Sequence, residues 1–277
     1  MRVGVCIVPF GTTYPQCREA ALAAEASGFE SVWTWDHLLP WRDDDTPVLD
    51  CWALLAALAE ATSTVKIGSL VANVMNRPPD VLAKTTAAIQ QVSEGRLELG
   101  IGAGVWPKEH EGYGRRFPGP GERVERAGEA VEMIRLLWSG ERVSYEGKHY
   151  KAVDVLSAPA ADPLPPIIVA GLGPRSARNA ARIGDGWNCE GPRGWEGKPD
   201  GTFERLKPVV LEELKRLGRP RESFEISISD RLDEEVLADP RGYAARMEEQ
   251  GIDRAILDFY PPFYLEGLGR VGRALFG

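Results

Sequence analysis

Apolar positions along this chain fall into two alternating kinds of segment. Residues 3–8, 31–35, 65–72, 96–101, 167–170, 224–228 and 254–259 are short runs of period two or of continuous apolar character, and a further short run surrounds Trp187 and Asn188. Both patterns read as β-strands. Between them lie helical stretches at residues 14–26, 52–61, 79–92, 122–138, 174–183, 203–217 and 241–250, and a last one at the C-terminus. Pro15, Pro79 and Pro174 stand at first-turn positions, Asp50 is placed to cap, and Gly28 and Gly95 are stop signals. Eight strands, each followed by a helix, predict a parallel α/β fold, most simply a (β/α)8 TIM barrel. The whole chain, residues 1–277, reads as one domain with insertions after strand four and before strand five. The first insertion carries Trp106, His110, Tyr113 and Phe117; the second is a small hairpin at residues 143–150.

In such a barrel the carboxyl ends of the strands form the functional rim. That places Asp36-His37, residues 70–73, 102–106 and 171–176, and Trp187-Asn188 on one face. Strand four runs into Gly102-Ala103-Gly104, a nearly bare backbone that a ligand can approach closely; a plain glycine turn is the alternative. Gly171-Leu-Gly-Pro-Arg-Ser176 is the best anion site. It joins two glycines to a helix start, with the Arg175 charge and the Ser176 hydroxyl beside it. Its G-x-G-x-x-S spacing, with Glu190 further on, approximates a dinucleotide fingerprint but sits late in the chain. A helix start without a ligand is the other reading. His37, beside two tryptophans, is suited to proton transfer or to anchoring a loop. His110 and His149 read as solvent-facing or structural, and the tryptophans as packing, with Trp106 the one to test.

The formal charge of −8 and pI near 5.2 argue against nucleic acid as a partner. No apolar run approaches a membrane span, and the first nine residues read as a strand, not a signal peptide. Cys6, Cys17, Cys51 and Cys189 are scattered without ligand spacing. Free thiols, a cytoplasmic location and no metal site are expected.

Taken together, several segments resemble the luciferase-like monooxygenase superfamily on its coenzyme F420 (deazaflavin) side. They are Glu25-Ala-Ser-Gly-Phe-Glu-Ser-Val-Trp33, Trp35-Asp-His37, Ile67-Gly-Ser-Leu-Val71 and Ser93 through Gly104, followed by Pro165-Pro-Ile-Ile-Val-Ala-Gly171 and Ala181 through Asn188. The resemblance covers residues 1 to about 190. It implies a flavin-type ring at the strand carboxyl ends, backed by a non-proline cis peptide matching Leu70-Val71. Leu70, Val71, Asn73, Gly102, Ala103 and Gly104 would then meet the cofactor, with Ala170, Gly171, Gly173, Arg175 and Ser176 at its phosphate. His37 becomes the proton donor or substrate-orienting group with Asp36 beside it, and Trp35, Trp106 and Trp187 line a substrate pocket. The implied activity is F420-dependent hydride transfer with a small organic substrate. An FMN-dependent monooxygenase and a non-catalytic flavin-binding barrel are the alternatives. A flavin or F420 reductase partner and a homodimer are further implications. Two departures stand out. Sugar-phosphate dehydrogenases of the family carry a catalytic glutamate just after the glycine platform, where this chain has Val105-Trp106-Pro107. The stretch between Asn188 and Phe224 is also short.

Overall fold

The computed structural model describes residues 1–41, 45–194 and 198–277, so part of the short stretch after Asn188 lies outside the described residues. In chain order the strands are β1 (Arg2–Ile7), β2 (Ser31–Thr34), β3 (Lys66–Ser69), β4 (Ala72–Asn73), β5 (Leu97–Gly102), β6 (Arg142–Glu146), β7 (Lys151–Leu156), β8 (Ile167–Ala170), β9 (Gly186–Glu190), β10 (Glu225–Arg231) and β11 (Arg254–Phe259). The helices are α1 (Tyr14–Ala26), α2 (Cys51–Ala61), α3 (Pro79–Val92), α4 (Pro107–Glu111), α5 (Pro120–Leu137), α6 (Pro174–Ile183), α7 (Thr202–Arg216), α8 (Glu234–Ala238), α9 (Pro240–Glu249) and α10 (Leu265–Phe276).

β3, β2, β1, β11, β10, β9, β8 and β5 pair side by side in parallel, and the pairing of Ile67 with Leu97 and Gly68 with Glu98 closes the ring. This is the expected (β/α)8 barrel. Strand three is divided where the Leu70–Val71 peptide is cis, at the bond the resemblance indicated, and β4 continues its path beside β5. Asp50 caps α2 as its position predicted, accepting from the N–H groups of Trp52 (3.1 Å) and Ala53 (2.9 Å). The antiparallel hairpin β6–β7 is longer than the pattern suggested, running through Leu156. Glu129 on α5 holds its turn by accepting from the N–H groups of Lys148 and His149. Among the described residues, no helix is long and apolar enough to cross a membrane.

Strand alternation sorts side chains between the barrel wall and its interior. Ala255, Leu257 and Phe259 of β11 join the core under the helices, whereas Ile256 packs inside with Cys6, Val8, Trp33, Trp35, Leu70 and Ile168. Arg254, one step below Ile256, is 1% exposed. Its guanidinium bonds Glu98 and Glu225 and lies 3.4 Å from Glu30, closing the amino end of the barrel with charge. Burial opposes the charge on Arg254, but the carboxylates of Glu98, Glu225 and Glu30 outweigh it.

Trp33 lies above that cluster, its ring 5.3 Å from the Arg254 guanidinium carbon and its Nε1 donating to Ser31 Oγ at 2.8 Å. Glycines make room for it. A Cβ on Gly68 would stand 2.3 Å from the indole, and one on Gly4 3.0 Å from Nε1. Gly68→Ala should therefore destabilise the protein by about 1–3 kcal/mol through overpacking. Gly269→Ala, in α10 where the atom nearest to an added Cβ is an Arg273 side-chain nitrogen at 3.4 Å, should be neutral or slightly stabilising. Denaturant unfolding of both variants checks the pair; equal effects would contradict the fit around Trp33.

Candidate active site

A cavity of about 600 Å³ opens at the carboxyl ends of the strands. Its wall unites Trp35, Asp36, His37, Leu70, Val71, Asn73, Gly102, Ala103, Gly104, Ala170, Gly171, Gly173, Arg175 and Ser176. Segments far apart in sequence thus meet where the strand count placed them.

His37 stands at the aromatic end. Its ring is edge-on to Trp35 (6.3 Å), Trp41 (5.1 Å) and Trp106 (6.4 Å). Its Nδ1 lies 3.4 Å from Glu109 Oε1 on α4. Glu109 is fully buried and also accepts from the N–H groups of Leu38 and Leu39. Burial works against its ionisation, yet the His37 ring and those N–H groups hold the carboxyl below its ordinary value. Glu109 thus presents a carboxylate to one imidazole nitrogen and leaves Nε2 to the cavity. No sequence pattern singled out Glu109; the contact depends on where the insertion folds.

Asp36 has a different environment from its neighbour. One oxygen accepts from Asn73 N–H at 3.0 Å and the other from Arg77 at 2.9 Å, and Arg77 reaches on to Asp50. Burial raises its carboxyl, with the Arg77 charge opposing. Both oxygens are committed to tying β4 to the end of β2. Asn73 in turn meets His110 Nε2 at 3.1 Å and accepts from Met75 N–H at 2.9 Å. His110 is buried, not solvent-facing, and stacks on Phe117 at 4.7 Å. His149 is also largely buried, 3.3 Å from Glu125.

The other end of the cavity is the start of α6. The Gly171 and Gly173 N–H groups are already used, donating to Asn188 O of β9 (3.1 Å) and to Ser176 Oγ (3.2 Å). The Ser176 hydroxyl donates to Gly173 O at 2.9 Å, so the loop consumes the hydroxyl that the motif offered to an anion. What remains is the first-turn N–H groups of Arg175 and Ser176 and the helix dipole. Arg175 pairs with Glu125 at 2.7 Å, and Arg123 also lines the cavity, over the Phe117 ring that stacks on His110.

Two expected pocket residues lie elsewhere. Trp187 is fully buried on the outer face of β9, stacked 6.0 Å from Phe203 of α7, with Nε1 donating to Gly171 O. Alternation gives the inward places to its neighbours Asn188 and Glu190, which line the cavity. Trp106 stacks on Trp41 at 6.1 Å, at the rim outside the cavity wall.

Asp258 also lines the cavity, and the sequence reading missed it. Its signal was available: a carboxyl two residues from Ile256 on the inward face of an apolar strand. Burial pushes it up to about 8, with the Cys6 and Trp35 hydrogen bonds opposing. The folded state therefore holds a proton that the unfolded chain releases, so Asp258 makes stability fall as pH rises from about 4 to about 8. Denaturant unfolding across that range should show Asp258→Asn gaining stability relative to wild type with rising pH. A pH-independent difference would contradict the assignment.

Residues 1–232 match the luciferase-like monooxygenase family. Among curated relatives, the F420-dependent glucose-6-phosphate dehydrogenase of Amycolatopsis mediterranei (strain U-32) is 34% identical over 82% of this chain and 68% of its own length. The F420-dependent hydroxymycolic acid dehydrogenase of Mycobacterium tuberculosis is 38% identical over 76% of this chain and 59% of its own. The chain thus spans roughly three fifths to two thirds of the length of these relatives. Among solved structures, an F420-dependent secondary alcohol dehydrogenase in complex with an F420–acetone adduct superposes with a TM-score of 0.84 at 21% identity, over 99% of this chain and 98% of that one. The F420-dependent tetrahydromethanopterin reductase of Methanopyrus kandleri gives 0.79 at 18% identity, over 99% and 97%. With the barrel, the glycine platform and the cavity in place, this chain belongs to the luciferase-like monooxygenase family.

Proposed function

We propose that this protein is an F420-dependent oxidoreductase that moves a hydride between the deazaflavin and a small, uncharged, largely apolar alcohol or carbonyl compound. The observation that carries the reading is one continuous cavity with two chemically different ends. At one end, the Gly102–Gly104 backbone leads toward the first turn of α6, with Arg175 nearby. At the other, His37 sits among tryptophans.

The residues present fit such a cofactor. The cavity volume lies within the usual range for cofactor sites. Gly102 and Gly104 keep the wall flat: a Cβ would stand 2.8 Å from Val71 Cγ2 or 2.5 Å from Asn73 Oδ1. Gly102, Ala103 and Gly104, with Leu70, Val71 and Asn73, would hold the ring, while Ala170, Gly171 and Gly173 would shape the path to the phosphate. The α6 first turn and Arg175 would take the phosphate charge. When bound, the deazaflavin supplies the hydride chemistry, and the protein supplies position and proton handling. His37 holds the exchangeable proton at Nε2, with Glu109 orienting the ring. Asp36 serves as a positioning residue through Asn73 and Arg77.

Substrate class follows from charge placement. A Cβ on Gly121 would meet the Arg175 guanidinium, which places Arg175 at the α6 end, while Arg123 lies over the Phe117 ring. Around His37 the wall holds Trp35 and Trp41, Leu70 and Val71 packed with Trp35, and the carboxyl groups of Asp36 and Asp258. A phosphorylated sugar there would press a dianion against apolar side chains, so we read the substrate as different from glucose 6-phosphate. The proposal includes a homodimer, an F420 reductase supplying reduced cofactor when the enzyme works as a reductase, and a cytoplasmic setting suited to its four free, buried cysteines.

Fluorescence titration of purified protein with F420 and with FMN tests the reading. F420 should bind the more tightly, and Arg175→Ala should weaken it about tenfold through loss of a charge-assisted contact. Preference for FMN, with oxygen uptake, would replace the proposal with a monooxygenase. Binding without turnover of any alcohol or carbonyl would leave a non-catalytic barrel. His37→Ala should lower turnover by about 100-fold or more while the F420 dissociation constant changes little. A loss confined to cofactor binding would remove the proton role from His37.

A further inference from the structure

The cavity floor carries a polar group that hydride transfer as described leaves unused. Asp258 points inward from β11, in register with Cys6 of β1 and Arg231 of β10. It is 2% exposed yet reaches the cavity. The Cys6 thiol and the Trp35 side chain hydrogen-bond to it, but its Oδ1 is buried without a partner. A buried carboxylate left in that state is expensive; a neutral acid with an O–H aimed at a ligand oxygen is not. Trp35 also packs edge-on against His37, which sets His37 and Asp258 on the same β11–β1–β2 side of the barrel. Gly102 and Ala170 belong to β5 and β8, further round the ring. The Asp258 carboxyl thus belongs to the His37 side of the cavity floor.

We propose that Asp258 is a specificity-determining residue, a neutral carboxylic acid whose O–H donates to the oxygen of an uncharged carbonyl or carbinol compound seated against Trp35. The inference rests on reading the cavity as a substrate site. It adds a second polar contact for the substrate oxygen and explains the choice of an uncharged ligand. A carboxylate substrate would face the acid's own tendency to ionise. Conversely, an ionised Asp258 offers no donor, so binding weakens as it loses its proton. The titratable and charged groups around it are Cys6 from β1, Tyr260 beyond β11, and Asp230 and Arg231 from β10. Burial raises the Cys6 thiol well above its usual range and Tyr260 to about 12, so both stay neutral while Asp258 titrates. His37 faces the same cavity, and its removal is the control for its own contribution.

Cyclohexanone serves as the neutral carbonyl probe, its saturable binding followed through tryptophan fluorescence without any cofactor present. Wild type should bind it about tenfold more weakly at about pH 9.5 than at about pH 6. Asp258→Leu should bind about tenfold more weakly at the lower pH. Asp258→Asn, which keeps a donor but cannot ionise, should stay within about threefold of wild type there and lose the pH dependence. The wild-type pH dependence should persist in His37→Ala. Undiminished binding by Asp258→Leu, or an Asp258→Asn profile that still falls with pH, would overturn the proposal. If Asp258→Leu fails to fold, the wild-type and Asp258→Asn profiles decide alone. F420 titrations of the same proteins separate the two readings: wild type that takes cyclohexanone but not F420 would refute the cofactor assignment and leave Asp258 standing.

Discussion

The barrel closes around one indole. Trp33 fills the axis above the Arg254 cluster, and Gly4 and Gly68 are the positions where neighbouring strands give way to it. A side chain at either would push a strand out of the ring. Below it, Arg254 exchanges a buried charge for bonds to Glu98 and Glu225 and proximity to Glu30. Removing one partner of such a cluster leaves an uncompensated charge and costs several kcal/mol. The amino half of the barrel interior is therefore filled by side chains, and the cavity lined by Trp35, His37 and Asp258 opens at the carboxyl end.

That division decides where chemistry can occur. The interior positions above Trp33 are taken by Trp35, Leu70, Asn188, Ser229 and Asp258, which form a floor instead of a plug. Above the floor the side chains are set by partners outside the ring. Glu109 comes from the insertion to meet His37, and Arg77 comes from the β4–α3 loop to fix Asp36. The insertion after β5 thus acts as a supporting wall for the cavity. Function in this fold depends on how loops lock the residues at strand ends.

Much of this was legible in the sequence because strands and helices announce themselves by period. The barrel, the Asp50 cap and the glycine platform each follow from local rules, and the family resemblance pointed to the cis Leu70–Val71 bond. Side-chain direction was harder. Trp187 was expected in the pocket because it sits at a strand end beside Asn188, but a period of two sends adjacent residues to opposite faces. The inward place went to Asn188. The Gly171–Ser176 motif was placed correctly, while its hydrogen bonds turned inward to build the loop. Glu109 and Trp41 escaped notice because their roles arise from tertiary approach, which no spacing encodes. Asp258 lay in plain view as a charge in an apolar strand.

The central claim is that one cavity holds F420 along the wall from Gly102 to the start of α6, leaving the His37 side for substrate. Crystals soaked with F420 test it most directly. The account predicts ligand density against Gly102–Gly104 with its phosphate at the first turn of α6 beside Arg175, and open space remaining next to His37 and Trp35. Density for the ring elsewhere, or a phosphate bound among the tryptophans, would contradict it.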